Sequence, residues 1–342
     1  MRAALKQALF RTLEWSGLNA LSRWSQRESL VVLNYHGVMP GDLAPLDQNV
    51  YCNTVGTEEF AGHLEFLTRH FHLVKASDVE AWVARERDLP ERAALLTFDD
   101  GRRNNLAYAA PILKQYNAPA ILFLATSHIG SSRLLWTEEI YEILMRWPAG
   151  RDFPIPGAES LRLGANRRAA GREVVSRGKT LPATTIESWL EELRAVVTLP
   201  PEIGDDDVYA FLTWDEVRQL PSYGFELGSH TASHWITTRC TPESLRWELE
   251  SSRAEIENQL GRPCLSFCYP NGTAADWSSE VAAAVQAAGY RVAYTLPDRI
   301  QRRTPLNPFA IERLCVPGSV PQQAFRARVS GTISLLRTAA NK

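Results

Sequence analysis

Short, mainly apolar runs recur along the chain, and most are followed by stretches whose apolar residues return every three or four positions. The short runs read as buried strands and the longer periodic stretches as helices. Strands are predicted at 30–35, 93–98, 120–124, 225–228, 265–267 and 292–294. Helices are predicted at 57–71, where Phe60, Leu64 and Leu67 share a face, and at 78–85, 105–116, 241–260 and 275–288. A closing helix is expected at 321–337, with Pro321 near its first turn. This alternation of strand and helix argues for a parallel α/β barrel.

The rhythm breaks at about 134–210. A helix is expected at 136–147, then a loop through 148–156, a basic glycine-containing stretch over 162–179, a helix at 185–197 and an acidic turn at Asp205-Asp206-Asp207. This segment reads as a helical insertion beside the barrel mouth, serving either as a recognition element or as a structural lid. The barrel with its insertion is assigned to 30–342. Residues 1–29 form a separate amphipathic segment. There Leu5, Leu9, Leu13, Leu18 and Leu21 recur near helical spacing, joined by Phe10 and Trp15. Arg2, Lys6, Arg11, Arg23 and Arg27 outnumber Glu14 and Glu28. Two readings stand: a helix lying on an anionic membrane through 1–27, or a helix packed on the barrel.

Composition narrows the class. The 342 residues carry 37 Lys and Arg against 39 Asp and Glu, a net charge of −2, which argues against a nucleic-acid partner. No stretch is long and apolar enough to span a bilayer, and 1–27 lacks the apolar core and cleavage site of a secretory signal. A cytoplasmic protein, peripheral on the inner membrane if 1–27 touches lipid, is expected. Five cysteines (Cys52, Cys240, Cys264, Cys268, Cys315) include no Cys-x-x-Cys pair and do not form a disulfide framework. Cys264 and Cys268 read as small core residues rather than ligands.

Two signatures carry the chemistry. Leu96-Thr97-Phe98-Asp99-Asp100-Gly101 places adjacent carboxylates at the end of a strand. Gly228-Ser229-His230-Thr231-Ala232-Ser233-His234 places two imidazoles four apart after another. Strand alternation would send the two carboxylates to opposite faces, so the chain must bend at Gly101 to aim both at one pocket. One carboxylate can then touch a metal while the other stands beside a water. If 231–234 begins a helical turn, both rings lie on one face. Alone, the first signature could be a turn and the second surface decoration. Together, each at a strand end, they supply one Asp and two His with open positions, the outfit for metal-assisted hydrolysis.

These motifs resemble the first two motifs of the polysaccharide deacetylases, the NodB-homology carbohydrate esterases. Ser266-Phe267-Cys268-Tyr269-Pro270-Asn271-Gly272 is similar to their proline-containing third motif. The resemblance covers roughly 30–317. It implies a distorted (β/α) barrel, typically of seven strands. It also implies one divalent metal, usually zinc, on Asp100, His230 and His234, with Asp99 as general base. The Asn271 N–H would face the oxyanion, with Tyr269 beside the substrate.

Departures from the family pattern matter. The Arg of the third motif is replaced by Cys268. Arg313 could supply that guanidinium from a late strand, or make a plain surface salt bridge. No His follows His234, so the family's late general-acid His has no counterpart. His36, closing the first strand, either fills that role or only packs the site. The activity implied is removal of an acetyl group from an N-acetylated sugar of a polysaccharide or lipid-linked glycan precursor. Ester hydrolysis by the same groups stays open. The alternatives are an amidohydrolase acting on a small non-sugar amide, and a glycan-binding protein without turnover.

Overall fold

The computed structural model describes residues 10, 12–41, 53–206, 208–304, 306–318 and 320–340. Expectations resting on Arg2, Leu5, Lys6, Leu9, Arg11, Cys52 and Asp207 lie outside the described residues.

The strands, in chain order, are β1 (Leu30–Tyr35), β2 (Gly37–Met39), β3 (Thr54–Gly56), β4 (His72–Leu73), β5 (Ala93–Phe98), β6 (Ala120–Leu124), β7 (Phe225–Ser229), β8 (Ser266–Cys268), β9 (Val292–Thr295), β10 (Ile311–Glu312) and β11 (Leu314–Cys315). The helices are α1 (Leu18–Ser25), α2 (Thr57–His70), α3 (Ala76–Val83), α4 (Ala110–Gln115), α5 (Trp136–Arg146), α6 (Arg167–Gly178), α7 (Ala183–Arg194), α8 (Trp214–Val217), α9 (Pro242–Leu260), α10 (Ser279–Ala287), α11 (Gln322–Val329) and α12 (Thr332–Ala340).

Eight strands run in the order β10-β9-β8-β7-β6-β5-β1-β11, with β4 added beside β5 and β2–β3 forming a separate pair. Every ladder is parallel. This is the expected (β/α) barrel, with eight strands in place of seven. The last two are halves of one stretch separated by Arg313 alone. Its first half pairs with β9 and its second with β1, so the chain changes partner at Arg313 and nearly closes the ring.

Strand alternation divides the core into two layers. From β1 and β5, Val31, Leu33, Tyr35, Ala94, Leu96 and Phe98 pack outward among the helices. Leu30, Val32, Ala93 and Leu95 point inward with Ile121, Phe123, Val292 and Tyr294. The same period of two sends Asn34, Thr97 and Asp99 inward at the upper end of the barrel. The insertion has an apolar cluster of its own, built on Trp136, Ile140, Leu144, Trp147, Trp189 and Leu193.

Several expected boundaries shift for local reasons. The helix expected at 275–288 starts at Ser279, because Ser278 caps it by accepting the Val281 N–H. The helix expected at 321–337 breaks at Gly331, whose φ is 76°. The 105–116 helix opens as a wide π turn at Asn105–Ala109 before α4, with Pro111 in the first turn of α4. The basic stretch at 162–179 contains α6. Of the cysteines, Cys240, Cys264, Cys268 and Cys315 are free thiols.

Candidate active site and metal centre

Register decides what meets at the barrel mouth. Tyr35 pairs with Phe98, so His36 and Asp99 leave their strands level with each other. Leu124 pairs with Ser229, and the His230 N–H donates to the Leu124 carbonyl at 2.9 Å. Ser229 pairs with Phe267, bringing Cys268 beside His230. A cavity of about 220 Å³ opens there, lined by His36, Asp99, Asp100, Lys179, His230, His234 and Asn271. Leu135, Trp136, Ile236 and Leu296 form its apolar wall.

Asp100, His230 and His234 converge, their nearest ligand atoms within 4.8 Å of one another. Asp100 Oδ1 lies 3.6 Å from His230 Nε2 and 3.3 Å from His234 Nε2. The backbone turns left-handed at Asp100 (φ 76°) as well as at Gly101 (φ 89°), which aims the carboxylate away from the path of Asp99. The helical turn expected at 231–234 does not form: Thr231 and His234 have φ of 63° and 60°. A strained loop brings the rings to a centroid separation of 4.8 Å instead.

The donor set fits a divalent cation. Asp100 Oδ1 is buried with no hydrogen-bond partner among the described residues. The Cys268 carbonyl lies 2.8 Å from His230 Nδ1; an Nδ1–H donated to it leaves the Nε2 lone pair facing the cluster. Burial pushes His230 down to about 4, against the pull of Asp99 and Asp100, which keeps the imidazole neutral and able to ligate. Burial would raise Asp100, but the close approach of His234, with Nε2 3.3 Å from Oδ1, holds it well below the ordinary carboxylate range. Arg102, next after the glycine, is buried against Glu138 at 2.6 Å and stands 3.9 Å from Asp100 Oδ2. Sequence reasoning had not singled it out.

Asp99 sits in a different cage. Arg313 Nη1 and Nη2 donate to its two oxygens at 2.8 and 2.9 Å, and Asn34 Nδ2 donates to Oδ2 at 2.7 Å. Arg313 also donates to Thr97 Oγ1 and to the Thr295 carbonyl. It is 1% exposed, so it makes no surface salt bridge. Burial would raise Asp99, but the Arg313 charge outweighs it and the carboxyl falls to about 2. Cys268 points into the barrel with Sγ 3.7 Å from Asp99 Oδ1. Asp99, His230 and Cys268 also lie close enough to share an ion. The guanidinium already on Asp99, and a thiol that burial pushes well above its usual range, make that a poor cation site.

The loop after β8 brings Asn271 to the cavity in a left-handed conformation (φ 63°). Its side chain is fixed at both ends: Nδ2 donates to Asp276 Oδ2 at 2.6 Å, and Lys179 Nζ donates to Oδ1 at 2.7 Å. Lys179, at the end of α6, is the insertion's charged contribution to the site. Burial lowers its pKa, opposed by Asp276 and Asp100. In the sequence it was only the last residue of a basic stretch. Tyr269 does not line the cavity. Its ring packs in the core against Trp277, its hydroxyl donates to the Phe309 carbonyl, and its N–H pairs with Tyr294. Alternation explains this: with Cys268 inward, Tyr269 faces outward. His36 does reach the cavity, and its Nδ1 has no hydrogen-bond partner among the described residues.

Comparison with known proteins gives a consistent result. A sequence profile of the polysaccharide deacetylase family matches residues 86–293. The chain is 26% identical over 126 residues to YxkH of Bacillus subtilis, covering 36% of this chain and 42% of that one. It is 28% identical over 114 residues to the poly-β-1,6-N-acetyl-D-glucosamine N-deacetylase of Staphylococcus epidermidis, covering 31% of this chain and 39% of that one. The match thus spans about two fifths of the length of these curated relatives. The deacetylase PplD of Streptococcus pyogenes, solved in complex with acetate, shares the fold with a TM-score of 0.57 at 14% identity, over 88% of this chain and 98% of that one. With the family profile matched across more than half its length, this chain belongs to the polysaccharide deacetylase family.

Proposed function

We propose that the protein is a metal-dependent de-N-acetylase acting on an N-acetylated sugar of a polysaccharide. The observation that carries this is the separation of two carboxylates that are adjacent in sequence. Asp100 joins two imidazoles in a cation-binding set, while Asp99 is caged by Arg313 and Asn34 beside it. The N-acetylglucosamine polymer named for the Staphylococcus epidermidis relative supports this substrate class.

Asp100, His230 and His234 would hold the ion, zinc being the ion suited to two imidazoles and one carboxylate. Bound there, it supplies Lewis acidity to the acetamide carbonyl and to the attacking water. Asp99, ionised throughout the neutral range, accepts a proton from the water as its oxygen adds to the carbonyl carbon. The Asn271 N–H, for which no acceptor occurs among the described residues, donates to the developing oxyanion. Lys179 and Asp276 hold the Asn271 side chain and so steady that loop. His36 delivers a proton to the departing nitrogen as the C–N bond breaks, leaving acetate and a free amino sugar. Arg313 is a positioning residue: it orients Asp99 without touching substrate.

The test is acetate release from N-acetylglucosamine oligomers, with O-acetylated oligomers in parallel. Release from the amide substrate, abolished by a chelator and restored by zinc, is expected. Release that a chelator leaves unchanged, or turnover of the ester alone, would overturn the proposal.

A further inference from the structure

Helix α1 is built inside out. Its buried residues are Asn19 and Ser22. Ser22 Oγ donates to the Ser330 carbonyl at 2.6 Å, and Thr332 Oγ1 donates to Asn19 Oδ1 at 2.7 Å, so polar contacts tie α1 to the C-terminal helices. Leu18, Leu21 and Trp24 face outward, with Trp15 just before them. Leu335 and Leu336 of α12 are exposed as well. Among the described residues, these six and Trp247 are the large apolar side chains left exposed. Trp15 is 86% exposed, Trp24 63% and Leu21 60%. A helix that meets water on its outer side places its polar residues there. This one reverses the rule, and joining both ends of the chain concentrates the apolar residues in one region.

Charge selects the occupant. Segments 1–29 and 320–342 hold nine Lys and Arg against two Glu, in a chain whose net charge is −2. The rest of the protein is therefore acidic and the joined ends basic. Two copies meeting through this face would bring like charge against like charge. An anionic bilayer meets both features. Trp rings settle at the headgroup level, leucines enter the acyl boundary, and the net positive charge of the two segments is drawn to anionic lipid. Among the described residues no helix is long and apolar enough to cross a membrane, so the contact is peripheral.

We propose that the joined chain ends form a membrane-binding face that seats the protein on an anionic phospholipid surface through Trp15, Leu18, Leu21, Trp24, Leu335 and Leu336. This rests on surface side chains alone and is independent of the catalytic reading.

The full-length protein is sedimented with phosphatidylcholine vesicles, with and without roughly one third phosphatidylglycerol. The wild type is expected to pellet with the mixed vesicles and to be released by high salt. The triple substitution W15S/L21S/W24S is expected to lower vesicle partitioning by roughly tenfold or more, with thermal unfolding unchanged. The pair L335S/L336S is expected to lower it as well, and serves if the triple variant misfolds. W247S, outside the face, should change nothing. Failure of the wild type to pellet with anionic vesicles would overturn the proposal, as would wild-type partitioning by the folded variants. Light scattering that shows a dimer dissolved by the same substitutions, without vesicle binding, would assign the face to a second copy instead.

Discussion

The barrel mouth and the helical insertion differ most in their backbones. At the mouth, Asp100, Thr231, His234 and Asn271 all lie in the left-handed region, with φ of 76°, 63°, 60° and 63°. Among the described residues of 134–210, only glycines do so, at Gly150 and Gly157. Each left-handed non-glycine residue costs on the order of 1–3 kcal/mol, and for β-branched Thr231 the conformation is a true outlier. Such positions persist only where their surroundings over-determine them. Here each strained turn leaves the end of a parallel strand, β5, β7 or β8, whose ladder fixes where the turn begins. The insertion instead stacks ordinary helices on its own apolar cluster and reaches the site with a few side chains, Lys179 and Trp136 among them. Reactive groups come from strained turns on a rigid barrel; relaxed helices supply reach.

The comparison breaks if the mouth tolerates change better than the insertion. The largest effect is expected from Asp99→Asn, which should lower kcat by about 10²–10⁴-fold while leaving metal binding intact; steady-state acetate release and elemental analysis read the two. Arg313→Met should come next, destabilising the fold by about 3–5 kcal/mol, because it leaves a buried carboxylate unpaired. Its sign with pH is fixed. Asp99 sits at about 2, below its unfolded value near 3.9, so the stability it contributes is complete above that value and is lost as pH falls through about 2. Denaturant midpoints between neutral and acid pH should show this loss in the wild type and much less of it in the variant.

Leu144→Ala, in the insertion's cluster, should cost about 2–5 kcal/mol of stability, yet kcat per folded molecule should stay near wild type. A kcat loss as large as that of Asp99→Asn would mean that the insertion carries chemistry. The smallest effect is expected from Lys179→Met: roughly a tenfold fall in kcat/KM, of the size of one charge-assisted hydrogen bond, with partial recovery in Lys179→Arg. An unchanged Lys179→Met enzyme would remove the insertion's reach from the account.

Much of this division can be read along the chain. Six of the eight ring strands were visible because doubly buried strands need short apolar runs, and Asp99, Asp100, His230 and His234 stand after such runs; the two-residue β10 and β11 leave no such run to read. The spacing of His230 and His234 misled on local shape, since a strained loop and a helical turn can carry the same four-residue interval. Tyr269 was misplaced because the alternation of β8 was not followed through the third motif. Arg313 was visible only as a late arginine. Its role depends on the strand exchange between β9 and β1, which no local pattern encodes. Lys179 meets Asn271 across 92 residues of sequence. Contacts of that kind belong to tertiary packing. The same holds for α1, whose leucine spacing shows an amphipathic helix but not which side faces inward.

The central claim is that Asp100, His230 and His234 form one cation site from which Asp99 is excluded. Zinc stoichiometry by equilibrium dialysis of full-length protein tests it most directly. The account predicts one ion per chain for the wild type and for Asp99→Asn, and none for a folded His230→Ala/His234→Ala double variant. A double variant that still holds one zinc per chain would contradict it.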